Sequence, residues 1–476
     1  MIPNLYLGEN DTKQNPSELY DQFGFIISEI ENYKPCQFEE DAADRVEWLK
    51  FIEFNHTNSL GVEGGLADID GGIGSDESFW NRVNTKISPS KHLTNLIWGF
   101  ADDNYRITSS TKGIPHTIRP QLWPRILGSI EKKTKASQKV PPEKYLDIVQ
   151  ASNEEISADF KQIEKDLLRT MPTNVCFSDV NSIGIPRLRR ILRALAFLYV
   201  DIGYCQGLGM ITATLLLFME EETTFWMMCS IIEDVLPPSY YSSKSLLGIQ
   251  TDQLVLVDLM KRCLPRLTNH LLSHNIDIPM ITLPWFVTLY AGHLPIHSLL
   301  RFWDILFYEG SSILFKLTLF ILKFNEDRLL QMENISDIFR VLSNLPSEVE
   351  HIETFLKLAN DIEDDYLNMT EISSIRRHHL AQLLSNEIQN ISQLLPSSQF
   401  IGENNQQNSR IFPKQYLSKR EIKPPKGIFP SKFNSIASYL RFDSIELTDY
   451  SKKHVLIDSF RDTCQKCFKK FNRTIL

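Results

Sequence analysis

Apolar residues recurring at helical spacing constrain this chain more than any other feature. Leu188, Ile191, Leu192, Leu195 and Leu198 stand at offsets of 0, 3, 4, 7 and 10, which draws one apolar stripe along a helix. Arg189, Arg190 and Arg193 fall off that stripe, and Asp201-Ile202-Gly203 is expected to stop the helix. The pattern repeats at Leu314, Leu317, Phe320 and Ile321, with Ser311 as the expected N-cap, and further helical stretches read through 253–274, 336–360 and 368–394. No train of alternating strand residues accompanies them. The expected fold class is all-α, a multi-helix domain over residues 95–385.

The flanks read differently. Residues 1–90 are mixed in pattern and broken near 61–78 by GVEGGLADIDGGIGSDES, which reads as a flexible acidic, Gly-rich linker. A calcium loop starting at Asp68 and Asp70 fails, because its sixth and twelfth positions are Ile73 and Phe79 instead of Gly and Glu. Residues 395–476 combine a Pro/Ser/Asn/Gln-rich linker with a basic end, and a largely disordered C-terminal tail is expected.

Charge and cysteine use narrow the function classes. The net charge of −9 argues against a chain built to coat nucleic acid. Seven cysteines, an odd number, lie scattered, and the first 14 residues hold neither a basic nor an apolar signal region, so reduced thiols in the cytosol are expected. The most apolar run, Ile211 to Met219, is far shorter than the roughly 20 residues of a bilayer span and reads as a buried helix. There is no GxxxxGK[ST], no HExxH and no GxSxG, so P-loop, zincin and serine-hydrolase chemistry lack their motifs. Cys464 and Cys467 form one CxxC, with His454 nearby, short of the four ligands of a structural zinc site, and no metal is expected.

Two short segments carry chemistry. Arg169 lies three residues before Pro172, which disfavours helix at Met171, so the helix is expected to end near Met171 with Arg169 in its last turn. Asp166, one turn earlier on the same face, is placed to orient the guanidinium or to form an ordinary surface ion pair. Gln206 stands between Gly203 and Gly207, which allow close approach to another molecule. A glutamine amide both donates and accepts, and so can orient a water or simply satisfy backbone groups in a turn. Tyr204 is placed to pack below it as an anchor.

Lys112-Gly-Ile-Pro115 with Arg119 and Trp123, then Ile163-x-x-Asp166-x-x-Arg169, then Tyr204-Cys-Gln206-Gly207, then Leu283-Pro-Trp285-Phe286, and Arg301-Phe-Trp303-Asp304 occur in an order and spacing that resemble the TBC (Rab GTPase-activating) domain family. The resemblance covers roughly residues 112–345. Within the family, LLRTMP, IPRLRRILRAL, GYCQG and FYEGS resemble the small G protein signaling modulator type 3 branch, whose members continue into SH3 and RUN domains not found in this sequence. Lys112 departs from the family's usual Arg but keeps the charge.

The resemblance implies an activator that hydrolyses nothing by itself. It would supply Arg169 as an arginine finger and Gln206 as a glutamine finger, in trans, to a Rab-family GTPase in its GTP state, supported by Ile163, Asp166, Gly203, Tyr204 and Gly207. It implies no cofactor beyond the GTP and Mg held by the partner, no nucleic-acid partner, and a cytoplasmic protein recruited transiently to endomembranes. Arg119, Trp123, Trp285, Arg301, Trp303 and Asp304 fit either the partner interface or the core. Arg187, Arg189, Arg190 and Arg193 fit an acidic partner, a lipid surface or a solvated helix face. The alternatives are a non-catalytic TBC scaffold that binds GTPases or adaptors in trafficking, and a helical interaction module unrelated to GTPases.

Overall fold

The computed structural model describes residues 23–25, 97, 113–139, 144–155, 157–237, 240–241, 246–349, 352 and 369–394, the side chains of the last helix being described from 370 to 385. The acidic linker near 61–78, Lys112, His454, the CxxC pair and the tail from 395 lie outside these residues. Among the described residues every regular element is helical. Among the same residues the one pairing of extended chain is an isolated antiparallel bridge between Phe25 and Asn174.

The first half is built from α1 (Arg119–Ile126), α2 (Ser129–Ser137), α3 (Tyr145–Glu154), α4 (Ala158–Leu167), α5 (Gly184–Leu198), α6 (Leu208–Leu216) and α7 (Glu221–Ser230). The stripe read from the sequence is the buried face of α5: Leu188, Ile191, Leu192 and Leu195 are at most 2% exposed. That face lies among α3, α4, α6 and α7. The helix ends at Leu198, and the turn is closed by the Gly203 N–H donating to the Tyr199 carbonyl at 2.8 Å. The apolar run from Ile211 forms α6, buried nearly all round. No helix among the described residues is long and apolar enough to cross a membrane.

The second half comprises α8 (Leu247–Cys263), α9 (Pro265–Ser273), α10 (Ile278–Val287), α11 (Ile296–Glu309), α12 (Ser312–Phe324), α13 (Glu326–Leu330), α14 (Ile335–Asn344) and α15 (Met369–Leu394). The helical stretch expected over 253–274 is two helices, because Pro265 starts a new one and Leu264 leaves helical geometry. Ser311 does precede α12, but its hydroxyl makes no cap. It accepts from Arg376 instead, at 3.0 Å.

Arg376 explains how α15 is held. Its guanidinium reaches both oxygens of Asp252 on α8, at 2.6 and 2.8 Å, and lies over the Phe315 ring of α12. Both partners are buried, so each charge is tolerated only because the other is present. Ile372, Ile375 and Leu380 complete the apolar contact. Arg376→Ala, which strands the Asp252 carboxylate, is expected to cost about 3–5 kcal/mol in urea unfolding. A loss below about 1 kcal/mol, the scale of an exposed pair, would show that α15 is not integral to the fold.

Candidate functional site

Arg169 is set by the end of α4. Ser157 caps the start of that helix by accepting from the Asp159 N–H, and Phe160, Ile163 and Leu167 bury its inner face. The helix ends at Leu167, four residues before the position expected from Pro172. The Arg169 and Thr170 N–H groups close tighter turns onto the Asp166 and Leu167 carbonyls, and the Thr170 hydroxyl donates to the Asp166 carbonyl at 2.8 Å. Met171 then takes a left-handed φ of +53° and turns the chain away. Arg169 therefore stands beyond the helix, in a turn.

Its guanidinium is half exposed and donates to the buried carboxylate of Asp166, which also accepts from Gln162 Nε2 at 3.1 Å. Burial pushes the Asp166 carboxyl above its usual range, against the pull of Arg169, the Tyr204 hydroxyl and Gln162. The Tyr204 phenol is in turn pushed up by its own burial and then by the charge on Asp166. One buried carboxylate thus joins the arginine of the first motif to the tyrosine of the second. Ile163 is fully buried beneath them.

The Tyr204–Gly207 turn is wedged between other elements of the chain. Gly203, at φ +56°, passes so close to α4 that a Cβ would stand 2.6 Å from Asp159 Oδ2. Gly207, at φ +114°, passes the end of α10, where a Cβ would stand 2.4 Å from Val287 Cγ1. The close approach expected of these glycines is therefore to the chain itself. A Cβ on Gly209 would lie 3.2 Å from Thr170 Oγ1 and 3.3 Å from the Tyr204 hydroxyl, so the Gln206 turn and the Arg169 turn abut. Gln206 is half-buried on this platform, just ahead of α6. The sequence held no cue that Thr170 and Gly209 form the seam between the turns.

The remaining motif residues are interior. Arg119 Nε and Nη2 donate to the two oxygens of Asp304, at 2.9 and 2.8 Å, and Trp123 Nε1 donates to the same carboxylate at 2.9 Å. The Ile114 N–H approaches it at 3.3 Å and Arg301 at 3.9 Å. His116 is half-buried, its pKa pushed down to about 2 chiefly by desolvation, so the neutral ring accepts from Arg119 Nη1 at 2.6 Å. Trp303 donates to the Leu289 carbonyl at 3.0 Å and packs edge-on against Trp123, while Trp285 stacks obliquely with Tyr290.

The α5 arginines are largely engaged by their own chain. Arg189 pairs with Glu164 at 2.9 Å, Arg190 grips Glu221 at 2.7 and 2.6 Å, and Arg193 lies 4.5 Å over the Phe160 ring. Arg187 borders a surface hollow with Tyr145, Arg190 and Glu221.

This all-helical arrangement is that of a TBC domain. Residues 116–330 match the Rab-GTPase-TBC domain, and the chain belongs to the family that carries it. It is similar to small G protein signaling modulator 3 from Homo sapiens, 41% identical over 389 residues, which are 80% of this chain and 47% of that protein. TBC1 domain family member 2B from Mus musculus is 34% identical over 275 residues, 58% of this chain and 27% of that protein. The fold is similar to the crystal structure of the Chlamydomonas flagellar RabGAP TBC domain, with a TM-score of 0.51 at 24% identity, covering 72% of this chain and 99% of that one. The chain spans about half the length of the signaling modulator 3 proteins that it matches.

The Gly207 wedge yields a direct test. Gly207→Ala is expected to destabilise the fold by about 1–3 kcal/mol from backbone strain, with the contact against Val287 in addition. Adding Val287→Ala should return the contact share and leave the strain, a coupling read from urea midpoints of the four chains. A single Gly207→Ala chain within about 0.5 kcal/mol of the unaltered one would show that the turn is not pinned.

Proposed function

We propose that this chain is a GTPase-activating protein for Rab-family small GTPases, giving Arg169 and Gln206 to the partner's nucleotide site. The observation that supports this most is the joining of the two turns through Asp166, Tyr204, Thr170 and Gly209. GTP hydrolysis needs positive charge on the transferring phosphoryl group and an oriented water. A half-exposed guanidinium anchored on a buried carboxylate suits the first task. A glutamine amide, donor and acceptor at once, suits the second.

On this reading, an arginine supplied in trans accelerates hydrolysis about 10³–10⁵-fold, roughly 4–7 kcal/mol of transition-state stabilisation. Arg119, Arg301 and Asp304 build the floor that holds the site and do not touch the partner. The activator binds the GTP state, uses no cofactor of its own and acts on the GTP and Mg that the GTPase holds. It works at the cytoplasmic face of endomembranes, where the partner recruits it, with residues 95–385 as the folded unit.

GTP hydrolysis measured across a Rab panel tests the reading. At least one Rab should respond. Arg169→Ala should lower the maximal stimulated rate on the order of 10³-fold or more. Arg169→Lys should also fail, since an ammonium lacks the planar fork of a guanidinium. Near-normal stimulation by Arg169→Lys would exclude the finger role, and silence across the panel would exclude activation.

A further inference from the structure

The tripeptide Phe23-Gly24-Phe25 lies far upstream of the matched domain 116–330, yet it is seated against it. Asn174 Nδ2 donates to the Phe23 carbonyl at 2.9 Å, and the Val175 N–H donates to the Gly24 carbonyl at 2.9 Å. Phe25 and Asn174 form the isolated antiparallel bridge. Gly24 has a φ of +86°, and a Cβ on it would stand 2.9 Å from Val175 Cγ1, so a side chain there would lift the segment away. The Phe23 ring sits edge-on among His116, Phe218 and His297, with centroids 5.4, 5.6 and 5.1 Å away.

What the tripeptide holds gives it meaning. The turn that carries Arg169 is fixed upstream by Asp166. Its downstream end is Asn174, fully buried, whose N–H donates to the Met171 carbonyl at 3.0 Å and whose Oδ1 accepts from the Cys176 N–H at 3.0 Å. One of the two side-chain N–H bonds of Asn174 is donated to the Phe23 carbonyl. Removing that acceptor strands a buried N–H, which the structure relieves only by moving. The ring of the same Phe23 rests on His116, which accepts from Arg119 in the Asp304 cluster. One short segment therefore bears on both the Arg169 turn and the buried Asp304 cluster.

We propose that Phe23-Gly24-Phe25 is a positioning clasp for the Arg169 turn, a part of the activator site supplied from outside the domain that defines the family. It rests on the activity proposed above and acts through Asn174, without touching the GTPase. With both ends of the turn fixed, the guanidinium is presented in one place. With the downstream end released, it wanders, and a displacement near 1 Å costs on the order of 10²-fold in rate. Because correct placement counts most in the transition state, the loss falls on kcat and leaves Rab affinity in place.

The test uses the full chain carrying Phe23→Ala or, separately, Gly24→Val. Amide hydrogen exchange over 169–177 and thermal melting are measured without partner, and kcat and half-saturation with a responsive Rab. The expected result is faster exchange confined to that turn, with the melt of the domain lowered by a few degrees at most. kcat should fall about ten- to a hundredfold, with half-saturation within about threefold. Normal kcat alongside faster exchange would overturn the proposal, as would unchanged exchange or a fall in kcat matched by a rise in half-saturation. A lower melt with exchange rising throughout the domain would make the segment a plain stabiliser and also overturn it. If the unaltered chain stimulates no Rab, the activity reading fails and takes the clasp with it. An active chain with fully active variants sinks the clasp alone.

Discussion

Asp304 is a carboxylate with no exposure to water, and it ties the first helix of the domain to α11. It accepts from Arg119 and Trp123 on α1 and from the chain before α1, although it belongs to α11, more than 180 residues later. A lone charge in that position would be prohibitively costly, so the fork of Arg119 and the indole of Trp123 must be in place for the domain to close. The contact is bidentate and directional, which fixes the angle as well as the distance between the two elements. The aromatic layer of Trp123, Trp303 and Phe307 then packs at edge-on or tilted angles around it.

The same device recurs at two other places, each time joining distant parts of the chain. Asp252 with Arg376 holds the last helix against α8. Asp166 with Arg169 joins the end of α4 to the turn before α6 by way of Tyr204. The third differs in a way that matters for function: its arginine remains half exposed. The first two pairs hold the scaffold together. The third leaves part of its guanidinium exposed while its carboxylate stays buried.

Much of this was legible in the sequence, for a physical reason. Helical spacing of Leu188, Ile191, Leu192 and Leu195 reports burial directly, because each apolar residue on the stripe must leave water. The motif order around Asp166, Arg169, Tyr204 and Gln206 singled out two turns that the fold brings together. Local rules failed where tertiary contacts decide. Pro172 placed the end of α4 too late because the Thr170 hydroxyl and the left-handed Met171 end it sooner. Ser311 looked like a cap, but a helix that arrives 65 residues later takes its hydroxyl. Gly203 and Gly207 suggested access for a partner, while Asp159 and Val287 occupy the space beside them. Nothing in Phe23-Gly24-Phe25 foretold a contact with Asn174, because a pairing across 151 residues leaves no local pattern.

On the proposed reading one platform donates two groups, and a single experiment separates it from an activator that donates arginine alone. The GTPase's own water-orienting glutamine is replaced by alanine in a responsive Rab, and single-turnover hydrolysis is measured with the unaltered chain and with Gln206→Ala. If Gln206 orients the water, the altered Rab keeps much of its stimulation, and Gln206→Ala abolishes it with either Rab while binding persists. If stimulation collapses with the altered Rab and survives Gln206→Ala with the normal one, the glutamine finger is wrong.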